Sequence, residues 1–189
     1  MQELKKIIRS ILSIGERSIQ DIIQITEIKT FESGKRFIER GKRNASEYFL
    51  IDGVCRSFLL SPEGEEITIS FFNTGTVLSP YVTRTQNERS VMNFEALTNI
   101  TVGEMSEQAF LELMIADVET REFGNMVLRT ELMKKVQKEI HMASLTAKDR
   151  LRIFREEFPG FENIVPHPMI ATYLGITNVS LSRLRKDRV

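Results

Sequence analysis

The stretch PHPMIATYLGITNVSLSRLRKD, residues 166–187, predicts two short helices joined by a tight turn. Pro168 suits the first turn of a helix, and the small side chain of Ala171 lets a second helix cross closely. Four residues later, Gly175 supplies a position that tolerates a positive φ, and Thr177 can cap the next helix. Together these offsets predict a helix-turn-helix.

The second of these two helices is predicted to have one face buried and one face exposed. The apolar residues that would fill the core between the helices are Ile170, Leu174, Ile176, Leu181 and Leu184. The cap and the remaining candidate DNA contacts are Thr177, Asn178, Val179, Ser180, Ser182, Arg183, Arg185 and Lys186. Asparagine pairs with adenine and arginine with guanine in the major groove, whereas Arg185 and Lys186 suit phosphates. The alternative interpretation is a plain helical hairpin with a solvated basic end.

From Ile28 to Met105 the pattern changes to short alternating runs separated by turn residues. The clearest hairpin corners are Asp52-Gly53 and Glu63-Gly64. The predicted strands are Ile28–Phe31, Arg36–Glu39, Tyr48–Ile51, Val54–Leu60, Glu66–Phe72, Val91–Ala96 and Ile100–Met105. Strands of this length and spacing indicate an antiparallel β-barrel or β-roll.

Helices are predicted on both sides of these strands, over residues 2–13, 18–25 and 107–115. Residues 118–144 predict one long helix whose apolar residues are Phe123, Met126, Val127, Met133, Val136 and Ile140. Their spacing of three and four favours packing along a partner helix, and the alternative is packing on the chain's own barrel. Thr146 is predicted to cap a further helix that ends near Phe158, and residues 159–168 are predicted to form a plain loop.

The composition narrows the class of protein. The 26 basic and 26 acidic residues balance, but residues 1–118 carry 13 basic and 17 acidic side chains, and residues 119–189 carry 13 and 9. A basic second half fits a partner with phosphates.

The single cysteine, Cys55, excludes a disulfide framework and a cysteine-based metal site within one chain. We find no nucleophile–base pair, metal-ligand spacing or phosphate loop, so we do not expect an enzyme. No signal peptide or membrane span is predicted, and we expect a cytoplasmic protein.

A β-roll, a long helix and a C-terminal helix-turn-helix, in this order, resemble the cyclic-AMP receptor / fumarate-nitrate regulator (Crp/Fnr) superfamily. The sequence YFLIDGVCRSFLLSPEGEEITISFFNTG, residues 48–75, is similar to that family's roll. MIATYLGITNVSLSRLR, residues 169–185, is similar to the recognition motif of the branch common in Bacteroidetes-type bacteria. The resemblance implies an α+β fold with a cyclic-nucleotide-binding-like jelly roll. It also implies a homodimeric transcription regulator that binds double-stranded DNA and RNA polymerase.

The chain departs from this family at the effector site. Family members that bind cyclic nucleotides carry Gly-Glu, then Arg-Ser-Ala about ten residues later, for the ribose and the cyclic phosphate. Here Ser79-Pro80 stands where Gly-Glu would fall, and Arg89-Ser90 lies near the expected phosphate position. The resemblance therefore makes Ser79, Arg89 and Ser90 candidate effector contacts, while Pro80 in place of the carboxylate disfavours a cyclic nucleotide. A different small effector, or none, stays open.

The predicted organisation has three parts. Residues 1–117 form a cyclic-nucleotide-binding-like sensor with N-terminal helices, residues 118–144 form the dimerisation helix, and residues 145–189 form the DNA-binding domain. We predict a sequence-specific transcription regulator with its recognition helix at about residues 177–187 in the major groove. The alternative is a cyclic-nucleotide-binding regulatory module whose main role is ligand sensing rather than DNA binding.

Overall fold

The computed structural model describes residues 1–79 and 83–186. The chain divides into two units, which are described separately below. The first unit comprises Met1–Cys55 with Phe72–Leu132, and the second comprises Arg56–Phe71 with Met133–Val189.

The β-rich part has two four-stranded sheets. Its strands are β1 (Thr26–Phe31), β2 (Arg36–Ile38), β3 (Ser46–Asp52), β4 (Val54–Leu60), β5 (Glu66–Asn73), β6 (Val77–Leu78), β7 (Thr85–Gln86), β8 (Arg89–Ser90), β9 (Asn93–Ala96) and β10 (Ile100–Ser106). One sheet has the order β1-β10-β3-β6 and the other β2-β9-β4-β5, while β7 and β8 form a separate hairpin. Thr26 lies opposite Met105 in β1–β10, and Glu47 opposite Met105 in β3–β10, both antiparallel.

The turn between β3 and β4 depends on Gly53. Its φ of +92° lies in the left-handed region, which favours glycine. A Cβ at this position would also lie 2.5 Å from the Asn99 carbonyl oxygen, so both the backbone and the available space require glycine. The Asp52-Gly53 corner predicted from the sequence is confirmed.

Alternating side chains of the strands fill the interior of the β-roll. The buried residues that pack together there are Ile38, Tyr48, Leu50, Cys55, Phe72, Leu78, Phe94, Ala96, Ile100 and Val102. Phe72 stacks on Phe94 with ring centroids 5.9 Å apart. Burial raises the pKa of the Cys55 thiol, so this cysteine is a neutral packing group rather than a reactive thiolate.

Four helices cover the outer face of the β1–β10–β3–β6 sheet in the first unit. They are α1 (Gln2–Ile11), α2 (Glu16–Gln24), α3 (Glu107–Ala116) and the first half of α4 (Val118–Ser144). Phe123 of α4 is fully buried and stacks on Phe49 at 6.3 Å between ring centroids. The Asp117 carboxylate accepts hydrogen bonds from the Thr120 hydroxyl and backbone N–H at 2.6 and 2.9 Å, so it caps the start of α4 and has a pKa lowered to about 2.

The second unit contains α5 (Ala147–Glu157), α6 (Phe161–Ile164), α7 (His167–Tyr173) and α8 (Asn178–Lys186), together with the end of α4 and most of the β4–β5 hairpin. Thr146 caps α5 as predicted, because its Oγ1 accepts from the Asp149 N–H at 3.2 Å. Phe71 of β5 packs among four rings of the helices, with centroid distances of 5.1–6.0 Å to Phe154, Phe158, Phe161 and Tyr173.

The predicted β-sheet part and the long helix over residues 118–144 are confirmed. Three short strands, β6 to β8, were not predicted, because two residues are too few to show an alternating pattern. Part of the predicted loop over residues 159–168 is α6, a single helical turn that follows Gly160 at φ +81°. No helix in the described part of the chain is long and apolar enough to cross a membrane.

Candidate nucleic-acid interface and effector site

The connection between α7 and α8 is built around Gly175. Its φ is +67°, its N–H donates to the Thr172 carbonyl at 3.1 Å, and the next N–H, of Ile176, donates to the Ala171 carbonyl at 3.0 Å. These bonds close the end of α7 and turn the chain into α8. The residues buried between the helices are Ile170, Ala171, Leu174 and Leu181.

Thr177 stands immediately before α8 and acts as its cap. Its Oγ1 accepts from the Ser180 N–H at 3.1 Å and lies 2.9 Å from the Ser180 hydroxyl. This bond satisfies one of the free N–H groups at the start of the helix. The side chains of α8 that stay exposed are Asn178, Val179, Ser182, Arg183, Arg185 and Lys186, and Val179 is 61% exposed. Val179 is therefore a short apolar side chain that is exposed to solvent between polar neighbours.

Arg185 has partners within its own unit. Its Nε donates to Glu162 Oε1 at 2.9 Å, and its guanidinium lies 3.1 Å from His167 Nδ1. Glu162 also accepts from Arg155 Nε at 2.6 Å, and this hydrogen bond is the main cause of the lowered pKa of Glu162. One carboxylate thus joins α5, α6 and α8, a role that neither sequence spacing nor charge revealed for Glu162.

Lys138 is a second residue that sequence reasoning missed. It is half-buried on α4, its Nζ donates to the Ile69 carbonyl at 2.6 Å, and the same atom lies 3.7 Å from the centre of the Tyr173 ring. Lys135, one turn earlier, donates to the Ser70 hydroxyl at 2.7 Å. Burial lowers the pKa of Lys138 to about 8, and the charge of Lys135 adds to the shift. The two lysines bind the end of α4 to β5 and α7.

The three predicted effector contacts do not converge. Ser79 is buried and lines a cavity beside α3 and α4. Ser90 is buried, and its hydroxyl donates to the Met92 carbonyl at 2.8 Å. Arg89 is exposed in β8 of the β7–β8 hairpin, where its guanidinium donates to the Gly41 carbonyl at 2.7 Å. Pro80, which stands in place of the expected carboxylate, lies outside the described residues.

The arginine that enters the β-roll is Arg84. It is 2% exposed, its guanidinium pairs with the Glu131 carboxylate of α4, and it donates to the Thr83 hydroxyl at 2.5 Å. The guanidinium carbon lies 5.5 Å from the centre of the Phe72 ring and 5.8 Å from that of Phe94. The positive charge inside the roll is therefore already neutralised by the chain's own carboxylate. In the sequence, nothing around Thr83-Arg84 marks this arginine as buried.

Residues 28–117 match the family model of the cyclic nucleotide-binding domain. No curated protein sequence matches the chain. Among solved structures, the chain is similar to FixK2 from Bradyrhizobium japonicum, with a TM-score of 0.72 and 18% identity over 86% of this chain and 83% of that one.

Two further structures share the fold over most of the chain. One is CLP, a c-di-GMP-responsive global regulator from Xanthomonas campestris, with a TM-score of 0.70 and 13% identity over 91% of this chain and 90% of that one. The other is from Eubacterium rectale and is assigned to the Crp/Fnr family of transcriptional regulators. Its TM-score is 0.70, with 15% identity over 92% of this chain and 82% of that one. At these identities the likeness shows the fold alone.

Proposed function

We propose that the chain is a sequence-specific DNA-binding transcription regulator. The proposal starts from the match of residues 28–117 to the cyclic nucleotide-binding domain and from the fold shared with a Crp/Fnr regulator. The chain acts as a homodimer with α8 (Asn178–Lys186), the core of the recognition segment predicted at about residues 177–187, in the major groove. The observation that carries this proposal is the capped, exposed start of α8, where Asn178, Val179 and Arg183 stand in water. The N-terminal part of a recognition helix contacts base edges in this way.

Roles follow for the eight candidate residues. Asn178 and Arg183 carry the hydrogen-bonding groups suited to adenine and guanine, and Val179 suits the methyl group of thymine. Ser182 and Lys186 are exposed and suit phosphates, whereas Thr177 and Ser180 hold the start of the helix. Arg185 supports α8 through Glu162 rather than contacting DNA.

The proposed domain roles follow the sequence prediction. Residues 1–117 sense, residues 118–144 dimerise and residues 145–189 bind DNA. The dimer is supported by large apolar side chains that α4 exposes to solvent, which is unfavourable unless a partner covers them. We call these residues the α4 stripe; they are 45–66% exposed and comprise Leu132, Met133, Val136 and Ile140. RNA polymerase is the expected further partner, and the cytoplasm the expected place of action.

A second candidate function is cyclic-nucleotide sensing without DNA binding, which the match of residues 28–117 favours. Against it stands the pairing of Arg84 with Glu131, because a cyclic phosphate would have to displace that carboxylate. Calorimetry with cyclic AMP and cyclic GMP on the purified chain tests nucleotide sensing, and the duplex selection below tests DNA binding. We expect no binding heat from either nucleotide. Micromolar binding that Arg84→Leu abolishes, together with no preference for any duplex, would establish the second candidate.

The test of DNA binding is selection of duplexes from a random pool, followed by anisotropy titration of selected and scrambled duplexes. We expect selected sites with approximate twofold symmetry. Arg183→Ala should lose at least about 30-fold of the preference for the selected duplex, because the dimer loses one bidentate base contact in each half-site, at about 1–3 kcal/mol each. Arg17→Ala removes an equally charged side chain that is 96% exposed on α2, and should keep the preference. Equal affinity of the unaltered protein for selected and scrambled duplexes would refute the proposal.

A further inference from the structure

Val179 is the apolar side chain that α8 directs furthest from its own core. It is 61% exposed, whereas Leu181, two residues later, is 1% exposed and buried between the helices. At 3.6 residues per turn, these two side chains lie about 160° apart around the helix axis. Leu181 therefore marks the buried face of α8, and Val179 stands near the centre of the opposite face, which the proposed function turns toward DNA.

The residues around Val179 leave its methyl groups free to approach a base. Ser182 lies about 60° away around the helix axis, and Arg183 about 40° away, one turn further along. Ser182 is short and does not hold the helix away from the floor of a groove, and the Ser180 hydroxyl lies 2.9 Å from the Thr177 hydroxyl. A valine in a helix has one strongly preferred rotamer. The two methyl groups are thus held in place before any DNA binds.

A valine side chain can recognise one feature of a base pair in the major groove. It has no hydrogen-bonding group, and the apolar group that a base edge displays there is the C5 methyl of thymine. Cytosine and uracil lack this methyl. Cytosine also presents its N4 amino group, which a valine would cover without accepting its hydrogen bond. Val179 therefore suits discrimination between pyrimidines by a methyl group rather than by a hydrogen bond.

The position of this methyl relative to the base contacted by Arg183 follows from helix geometry. Arg183 is exposed on the same face of α8 and carries the group suited to guanine. Four residues of an α-helix rise about 6 Å, and successive bases of a strand are about 3.4 Å apart. The methyl group therefore lies within about two base pairs of the guanine.

Resting on the proposed DNA binding by α8, we propose that Val179 is a specificity-determining residue that contacts the C5 methyl group of one pyrimidine in each half-site. The selected half-site then holds a thymine within about two base pairs of the guanine contacted by Arg183. The contact depends on the methyl group and not on the rest of the thymine edge. Methylation of cytosine at C5 consequently strengthens binding to duplexes that carry cytosine at this position.

Single methyl groups removed from or added to the DNA test the proposal on the full-length protein. Each thymine of the selected duplex is replaced by uracil in both half-sites, one position at a time, and affinity is measured by fluorescence anisotropy. One buried methyl group is worth about fourfold, so uracil at the contacted position should weaken the dimer about 15-fold. In the duplex with cytosine there, 5-methylcytosine should raise affinity by a similar factor. Both ratios should be the same at low and high salt, because a methyl contact releases no counterions.

Variants of Val179 assign the effect to this residue. Val179→Ala should bind the thymine and uracil duplexes equally, and it should unfold at the unaltered temperature or above, because the position is exposed and alanine favours a helix. Val118→Ala makes the same change at a residue that is 59% exposed on α4, and should keep the full preference for thymine. Val179→Glu adds a carboxylate that accepts from the cytosine amino group, and should prefer cytosine to thymine.

The outcomes distinguish the methyl contact from DNA binding itself. Three results would overturn the methyl contact and leave DNA binding by α8 intact: selected half-sites without thymine, equal affinity with uracil at every thymine position, or an undiminished uracil effect in Val179→Ala. Absence of any preferred duplex would refute both the methyl contact and the proposed function.

Discussion

The Nε atom of Arg185 lies 2.9 Å from Oε1 of Glu162, so one of the basic residues of α8 is held by an acidic residue of α6. Sequence reasoning assigned Arg185 and Lys186 to the same role, because both are basic and both lie near the end of a recognition helix. The structure separates them, since Lys186 is exposed and Arg185 has partners in Glu162 and His167. The different roles of Arg185 and Lys186 can be distinguished by measuring DNA binding and stability of the two alanine variants.

The first prediction concerns the salt dependence of DNA binding. Each phosphate contact releases counterions and adds about 0.9 to the slope of log affinity against log salt concentration. Lys186→Ala should reduce this slope by about two for a dimer. Arg185→Ala should leave the slope unchanged and instead lower the free energy of unfolding by about 0.5–1 kcal/mol, because its ion pair is partly exposed.

Arg155→Ala provides the control, because it removes the other cation on Glu162 without altering α8. It should lower stability by a similar amount and leave the salt slope as it was. If Arg185→Ala reduces the slope as much as Lys186→Ala does, Arg185 leaves Glu162 to bind a phosphate and the structural role given to it is wrong.

The second prediction is a rise of stability with pH that originates at Lys138. Its pKa is lowered to about 8 in the folded protein, against an ordinary value of 10.5. Between these values the unfolded chain holds a proton that the folded chain has lost, so the free energy of unfolding increases with pH across this window. Partial exposure limits the increase to about 1–3 kcal/mol, and below about pH 8 the residue contributes no pH dependence.

Urea unfolding of the unaltered protein and of Lys138→Met at about pH 7.5, 9 and 10 measures this contribution. The difference between the two curves should grow with pH. Lys134→Met, which removes an exposed lysine from the same helix, should follow the unaltered protein. Parallel curves for the unaltered protein and Lys138→Met would show that Lys138 keeps an ordinary pKa.

The third prediction concerns the buried pair of Arg84 and Glu131, whose side chains are 2% and 14% exposed. Glu131→Leu leaves a buried guanidinium without its carboxylate and should cost about 3–5 kcal/mol of unfolding free energy. The double variant Arg84→Met, Glu131→Leu replaces the pair by apolar side chains and should recover most of this loss. Urea unfolding of the unaltered protein, Glu131→Leu, Arg84→Met and the double variant completes the cycle, and additive losses in the double variant would contradict direct pairing.

Much of the fold follows from local sequence rules. The Asp52-Gly53 corner, the cap at Thr146 and the turn at Gly175 each depend on one residue's backbone preference or hydroxyl, which sequence displays directly. The long helix was predictable because 27 residues from Val118 to Ser144 contain no proline. These elements required no knowledge of distant contacts.

The candidate effector site was less predictable, because it depends on which arginine is buried. Arg84 and Arg89 are five residues apart and neither has a distinctive neighbour. Burial of Arg84 depends on Glu131, 47 positions later, on another element. The apolar residues of the long helix that were predicted to pack along a partner helix also fall into two groups, which the spacing in the sequence does not distinguish. Phe123 and Val127 are buried against the first unit, whereas Met133, Val136 and Ile140 stay exposed.

The fourth prediction concerns the oligomeric state and follows from the exposed α4 stripe. Val136 and Ile140 are 45% and 55% exposed, and burying two such side chains in a helix–helix interface stabilises a dimer by a few kcal/mol. We expect the unaltered chain to sediment as a dimer at micromolar concentration. The double variant Val136→Glu, Ile140→Glu should sediment as a monomer, because the added carboxylates of the two chains would face each other. Gln137→Glu adds one carboxylate per chain beside the α4 stripe rather than on it, and should remain dimeric. A monomer for the unaltered chain would refute the proposed dimer, and a dimer for the double variant would place the dimer contact elsewhere.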